Sequence, residues 1–198
     1  NPAPSRAAIF RCLPKDASED SACAEQILRP LVRRAFRRDV TAADVAPFLK
    51  TFAATRANKP FAAAVAAAVR DVLIAPDFLF RLEFHQPVND FEFATRLSFF
   101  IWSSLPDEAL LNTASKGQLQ DAKVREREVR RMLADGRASA LLDNFAAQWL
   151  NLRAIETVEP DKMLYPEFER SLTADFQTET RLFVNSLLRE NRSVLELV

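Results

Sequence analysis

Apolar side chains recur at helical spacing along most of the chain. Between Cys23 and Arg38 they return every three or four residues, while arginines line the opposite face. Pro30 lies inside this stretch, where we expect a kink or a fresh start. No convincing alternating run typical of a strand accompanies these helical patterns. The pattern predicts an all-α fold, a bundle-like array of roughly seven or eight helices with no substantial sheet.

Capping residues predict where several of these helices begin and end. Thr41 followed by Asp44 resembles a capping box. Pro60 fits the first turn of an alanine-rich helix that Pro76 stops. Gly117 fits the left-handed end of a short helix, because only glycine adopts that conformation cheaply. Short connections are therefore expected between most helices.

The aromatic residues concentrate in later segments. Residues 77–84 are so aromatic that we expect them to be buried. The cleanest apolar stripe comprises Ala138, Leu141, Leu142, Phe145, Trp149 and Leu152, and a final helix is expected over about 166–191. We predict two helical subdomains, 1–84 and 85–198, packed against each other because the joint is short and flanked by aromatics.

Composition excludes several classes of function. The 198 residues include only two glycines, so phosphate-binding loops and a nucleophile elbow are ruled out. The single histidine, His85, excludes a two-histidine zinc site, and a haem attachment motif is missing. We therefore expect no cofactor and no metal in this segment. Equal numbers of basic and acidic residues, 27 each, argue against binding of nucleic acid. The longest apolar run, residues 61–69, is too short to cross a membrane.

Charged residues within apolar stretches are the first candidates for a site. Glu179 interrupts an apolar stripe formed by Leu172, Phe176, Phe183 and Leu187. A buried carboxylate there must be paired or protonated. It could carry a proton or bind a metal with Asp175, but we favour a buried partner of an arginine. The predicted buried polar network comprises Arg81, Glu83, Arg96 and Glu179, with Arg81 and Arg96 as the first candidate partners.

Two further features each allow two interpretations. The arginines at 29, 33, 34, 37 and 38 form a basic stripe that could meet phosphates, although we favour a solvated face or internal ion pairs. Cys12 and Cys23 bracket ten residues. In an oxidising compartment they would form a disulfide that ties the N-terminal segment to the first long helix. In the cytosol they would more often be unpaired thiols.

Several long motifs resemble a known family. They are CAEQILRPLVRRAFRRDVTAADV, APDFLFRLE, ATRLSFFIWSSLPDEALL, RRMLADGRASALLDNFAAQWLNL and ETRLFVNSLLRENRSVLELV. Together they resemble planctomycete-type exported proteins of unknown function, whose uncharacterised domains are often joined to a cytochrome c-like domain. The resemblance runs from the Cys12 region to Val198. It departs from the family's usual Arg-Arg-Pro at Arg37, Arg38 and Asp39.

The resemblance implies a periplasmic or cell-surface protein. It therefore implies that Cys12 and Cys23 form a disulfide, and that haem c, where the parent protein has it, lies in another domain. The chain begins with NPAPS, lacks an initiating Met and stops at RSVLELV, so we expect a piece of a longer protein, truncated at its C-terminal end. Expected partners are neighbouring domains or other exported proteins.

Two functions of different classes remain at this point. The preferred one is a non-catalytic helical scaffold or interaction module that positions a neighbouring redox or carbohydrate-binding domain. In the alternative, Glu83, Asp107, Glu179 and Trp102 line a cleft in which an exported polysaccharide is bound, oxidised or hydrolysed. Hydrolysis would require two carboxyl groups facing each other across that cleft.

Overall fold

The computed structural model describes residues 4–81, 87–190 and 192–197, which are helical throughout apart from turns and loops. The predicted all-α class is confirmed for these residues, in which no strand occurs. The α-helices are α1 (Pro4–Ile9), α2 (Asp20–Phe36), α3 (Ala42–Arg56), α4 (Phe61–Ile74), α5 (Pro76–Leu79), α6 (Asp90–Trp102), α7 (Glu108–Ser115), α8 (Ala122–Ala134), α9 (Ala147–Trp149) and α10 (Arg170–Glu190). They outnumber the expected seven or eight because one-turn helices such as α5 and α9 give no periodic signal of their own.

The chain divides into two compact units. Unit 1 comprises Asn1–Thr95 and Leu105–Leu119, and unit 2 comprises Arg96–Ser104 and Gln120–Val198. The division falls inside α6. The subdomain boundary predicted between residues 84 and 85 lies outside the described residues and stays a prediction.

The core of unit 1 is built by α2, α3 and α4. Fully buried alanines on α4, Ala64 and Ala68, bring its backbone close to α3. Helix α2 continues through Pro30, so the fresh start that we considered there does not occur. Its buried residues Ile27 and Val32 lie on either side of the proline and hold both turns against the core.

Local capping in unit 1 follows the prediction. The Thr41 hydroxyl oxygen accepts from the Asp44 backbone N–H, and the Asp44 carboxylate accepts from the Thr41 N–H at 2.7 Å. This reciprocal pair confirms the capping box at the start of α3. Gly117 has a φ of +65°, so the left-handed conformation predicted there is also confirmed.

The capping box makes α3 sensitive to acid. The Arg38 guanidinium and the Thr41 N–H and hydroxyl hold the pKa of Asp44 well below its usual range. A carboxyl group whose pKa is lower in the folded state stabilises the fold above its ordinary pKa near 4, and this contribution disappears as the pH falls further. We expect Asp44→Ala to lower the free energy of unfolding by about 1 kcal/mol at pH 7. In urea unfolding the difference from the unaltered chain should narrow steadily below pH ~4. A difference independent of pH would contradict this explanation.

The aromatic segment after α4 is less buried than predicted. Phe78 packs partly against the core of unit 1. Leu79 and Phe80, however, are 58% and 59% exposed, so their predicted burial is wrong. A one-turn helix turns few of its side chains towards the same neighbour. In α5, Phe78 is the side chain that packs against the core of unit 1. Residues 82–84 of the segment lie outside the described part of the chain.

In unit 2 a buried tryptophan contacts residues of α8 and of the turn that follows it. Trp102 is 3% exposed, and its indole N–H donates to the backbone oxygen of Met132 at 2.9 Å. The guanidinium of Arg137 lies 3.5 Å from the ring centroid, and that of Arg131 lies 5.7 Å away. Trp102 therefore links the end of α6 to α8 and the turn that follows it.

Candidate functional site

The two predicted carboxylates that the structure describes, Asp107 and Glu179, belong to different units. Asp107, in unit 1, accepts from the Leu110 backbone N–H at 2.9 Å and caps α7. Glu179, in unit 2, is solvent-exposed on α10. Glu83 lies outside the described residues. Trp102, predicted to line the same cleft, is buried instead.

The predicted burial of the polar network is wrong for the members that the structure describes. Arg81, Arg96 and Glu179 are all exposed, and Glu83 lies outside the described residues. The reason is clearest on α10, whose buried residues are Thr173 and Leu187. Phe176 on the predicted stripe is 44% exposed. Apolar residues lie on more than one side of this helix, and periodicity alone does not decide which side is buried.

The arginine stripe of α2 is largely taken up by interactions within unit 1. Arg29 pairs with Glu25 at 2.5 Å, and Arg33 pairs with Asp39 at 2.9 Å and also with Glu108. Arg38 pairs with Asp44 at 2.8 Å. These contacts favour internal ion pairs over a phosphate-binding face.

Arg37 has a structural role that the sequence did not predict. The residue ends α2 in the left-handed conformation, with φ 57°, and is only 7% exposed. Its guanidinium donates to the backbone oxygens of Asp77 at 2.5 Å, Phe78 at 3.1 Å and Phe80 at 2.9 Å. Burial lowers the pKa of Arg37 below its ordinary value, and the nearby Arg81 cation adds to this. An arginine nevertheless stays charged at neutral pH, so Arg37 holds the segment after α4 through charge-assisted hydrogen bonds.

Three exposed aromatic side chains in unit 2 contact one another in sequence order. We call Phe100, Phe145 and Trp149 the aromatic surface; they are 55%, 50% and 63% exposed. The rings of Phe100 and Phe145 meet edge to face, with centroids 5.7 Å apart. Those of Phe145 and Trp149 are nearly parallel, at 17°, with centroids 6.1 Å apart. Clustered exposed aromatics of this kind are typical of binding sites.

A π-helical segment explains why two of these rings, those of Phe145 and Trp149, face solvent. Leu141–Ala146 is a π-helix that continues directly into α9. Each residue of a π-helix turns by a smaller angle than in an α-helix, because its hydrogen bonds reach one residue further. Leu141, Leu142 and Leu152 of the predicted stripe are buried, whereas Phe145 and Trp149 are rotated out of it. The predicted stripe is therefore wrong at these two positions, and π-helical turns often mark functional sites.

Residues with hydrogen-bonding side chains lie close to the aromatic surface in sequence. The amide of Asn144 donates to the Ser103 hydroxyl at 2.7 Å, which joins the π-helix to the end of α6. Gln148 is exposed beside Trp149 in the chain. The Asp143 carboxylate is paired with Arg181. Ser103 and Asn151 have φ values of 49° and 52°, a left-handed conformation that is uncommon for residues other than glycine.

The described residues offer no obvious metal site. Among them, no group of three or more His, Cys, Asp or Glu side chains is arranged to hold an ion. In the same part of the chain, none of the helices combines the length and the apolar character that crossing a bilayer requires.

The N-terminal segment is joined covalently to the core. Cys12 and Cys23 form a disulfide, with their Cα atoms 5.5 Å apart, so the pairing implied by the family resemblance is confirmed. Cys23 is 1% exposed and belongs to the core of unit 1. A structural disulfide indicates an oxidising compartment.

Two family models match the chain consecutively. The model described as PSD5, a protein of unknown function (DUF1595), matches residues 23–83. The model described as PSD4, a protein of unknown function (DUF1592), matches residues 88–198, more than half of the chain. No curated protein and no solved structure matches it. The chain therefore belongs to the PSD4 (DUF1592) family of proteins of unknown function, with a PSD5 (DUF1595) region preceding the PSD4 match.

Proposed function

We propose that this chain is a non-catalytic helical scaffold and interaction module of a larger exported bacterial protein. The observation that carries the proposal is that several polar side chains of the chain have structural roles. Arg37 holds a neighbouring segment, and Asp44 and Asp107 cap helices. Of the described carboxylates suggested for catalysis, Asp107 caps α7 and Glu179 is exposed, whereas hydrolysis of a glycan needs two carboxyl groups that face each other.

The proposed location is the periplasm or the cell surface. The disulfide between Cys12 and Cys23 supports an oxidising compartment. Because the chain resembles planctomycete-type exported proteins, the proposal includes a longer parent protein in which a separate cytochrome c-like domain carries haem c. In this proposal the present chain positions such a neighbouring redox or carbohydrate-binding domain and needs no cofactor of its own.

Substitution of the candidate carboxylates in the full-length parent tests the proposal. A variant with Glu83→Gln, Asp107→Asn and Glu179→Gln should oxidise or hydrolyse polysaccharides at the rate of the unaltered parent, because any chemistry belongs to another domain. Asparagine also caps helices well, so α7 should be retained. Oxidised sugars and newly formed reducing ends are measured, with thermal unfolding as the control for folding.

One result would reject the scaffold. If the triple variant melted normally but had lost turnover, these carboxylates would belong to an enzyme acting on polysaccharide. Single variants would then identify the residue responsible.

A further inference from the structure

We propose that the aromatic surface of unit 2 is a binding site for a neutral polysaccharide. The inference rests on the proposed function and deepens it, because it names the partner class of the interaction module. Phe100, Phe145 and Trp149 would supply the surface on which sugar rings lie.

The ring faces suit a pyranose. One face of a pyranose ring carries several C–H groups with slight positive charge, whereas the face of an aromatic ring is negative. Phe145 and Trp149 are nearly parallel, at 17°, and both are at least half exposed. The two rings stack on each other, with centroids 6.1 Å apart, so a sugar ring can lie against the ring face that this stacking leaves exposed. Covering these rings also removes apolar surface from water.

The polar surroundings favour a neutral ligand. Asn144, Gln148 and Ser103 are exposed and carry amide or hydroxyl groups, which exchange hydrogen bonds with sugar hydroxyls in either direction. The adjacent Asp143 carboxylate is neutralised by Arg181. A phosphate-rich or acidic polymer would find no cluster of cations among these residues.

The size of the surface favours a sugar chain over a protein. An aromatic side chain offers 150–250 Å² when fully exposed, so three partly exposed rings present roughly 350 Å². A stable protein interface buries about 800 Å² on each partner. The three rings alone provide less than half of that area, an extent that a short stretch of a sugar chain can cover.

Local structure fixes the rings before any ligand arrives. The π-helix Leu141–Ala146 sets the direction of Phe145, and the hydrogen bond from Asn144 to Ser103 ties this segment to the end of α6, which carries Phe100. Rings held in place in this way lose little conformational entropy on binding.

Tryptophan fluorescence of the 198-residue chain tests the inference. Trp102 is buried and Trp149 is 63% exposed, so ligand-dependent changes should come from Trp149. We expect hydroxyethylcellulose or galactomannan to shift the emission to shorter wavelength and to protect it from acrylamide. Polygalacturonate, an acidic polymer, should bind more weakly.

Matched variants then locate the binding surface by affinity electrophoresis in gels containing the same neutral polymers. Trp149→Ala and Phe145→Ala should each weaken binding roughly tenfold, as expected for loss of a central aromatic contact. Trp149→Phe should retain part of it. The control is Tyr165→Ala, which removes an aromatic residue that is 61% exposed and lies outside the aromatic surface. Circular dichroism and thermal unfolding check that each variant is folded.

The outcomes separate the inference from the proposed function. The inference is overturned if neither neutral polymer binds, if only polygalacturonate binds, or if the two alanine variants bind as well as the unaltered chain. Self-association that Trp149→Ala abolishes, without polymer binding, would assign the surface to a second copy and overturn it too. If the chain bound the polymers through these rings but also cleaved them through its carboxylates, binding would stand and the non-catalytic function would fail.

Discussion

Replacing Arg37 by alanine is expected to lower the free energy of unfolding by about 3 kcal/mol, because a buried charged donor with several partners is lost. The backbone oxygens of Asp77, Phe78 and Phe80 lose their donor, and the segment after α4 is no longer held to the end of α2. Urea or thermal unfolding measures the loss. Faster amide hydrogen exchange around α5 should accompany it.

Three comparisons isolate the contribution of the guanidinium. Arg34→Ala removes an exposed arginine from the same helix and should change stability little. Arg37→Lys keeps the charge but loses the planar set of donors, so an intermediate loss is expected. Arg37→Gly removes the contacts but suits the left-handed backbone, and should recover roughly 1 kcal/mol relative to alanine. If Arg37→Ala were as stable as Arg34→Ala, the hydrogen bonds would contribute nothing.

Opening the disulfide between Cys12 and Cys23 is expected to cost about 3 kcal/mol, because the bond limits the conformational freedom of the unfolded chain. The two cysteines are 11 residues apart in sequence, and the bond ties the segment around α1 to the buried start of α2. Unfolding with and without dithiothreitol gives the difference. Proteases should then cleave first between α1 and α2.

The matched control is a chain with Cys12→Ala and Cys23→Ala. It should be less stable than the oxidised protein and should no longer respond to dithiothreitol. Peptide mapping without reductant should recover the two cysteines linked. Recovering both as alkylated thiols from native material would contradict the disulfide.

Much of unit 1 was predictable because its signals are local. A capping box is a contact between Thr41 and Asp44, three residues apart, and the turn at Gly117 depends on the conformational freedom of one residue. Such features need no knowledge of the rest of the chain. The helical class follows similarly from apolar spacing within single segments.

Burial of individual side chains was less predictable. The apolar pattern of α10 suggested a buried Glu179, yet the residue is exposed, because this helix carries apolar side chains on more than one side. Leu79 and Phe80 are exposed for a related reason. Hydrophobicity alone does not determine which residues in and just after a one-turn helix pack against another part of the chain. Only the packing partners decide this.

By itself, the sequence determined the all-α class and the local caps, and the family resemblance added the disulfide. The tertiary structure alone decided the role of Arg37, whose acceptors lie about 40 residues further along the chain. It also decided the aromatic surface, because a π-helix shifts Phe145 and Trp149 out of an otherwise buried stripe and brings Phe145 against Phe100. Periodicity assumes a constant turn per residue, so it cannot anticipate a helix whose turn changes midway.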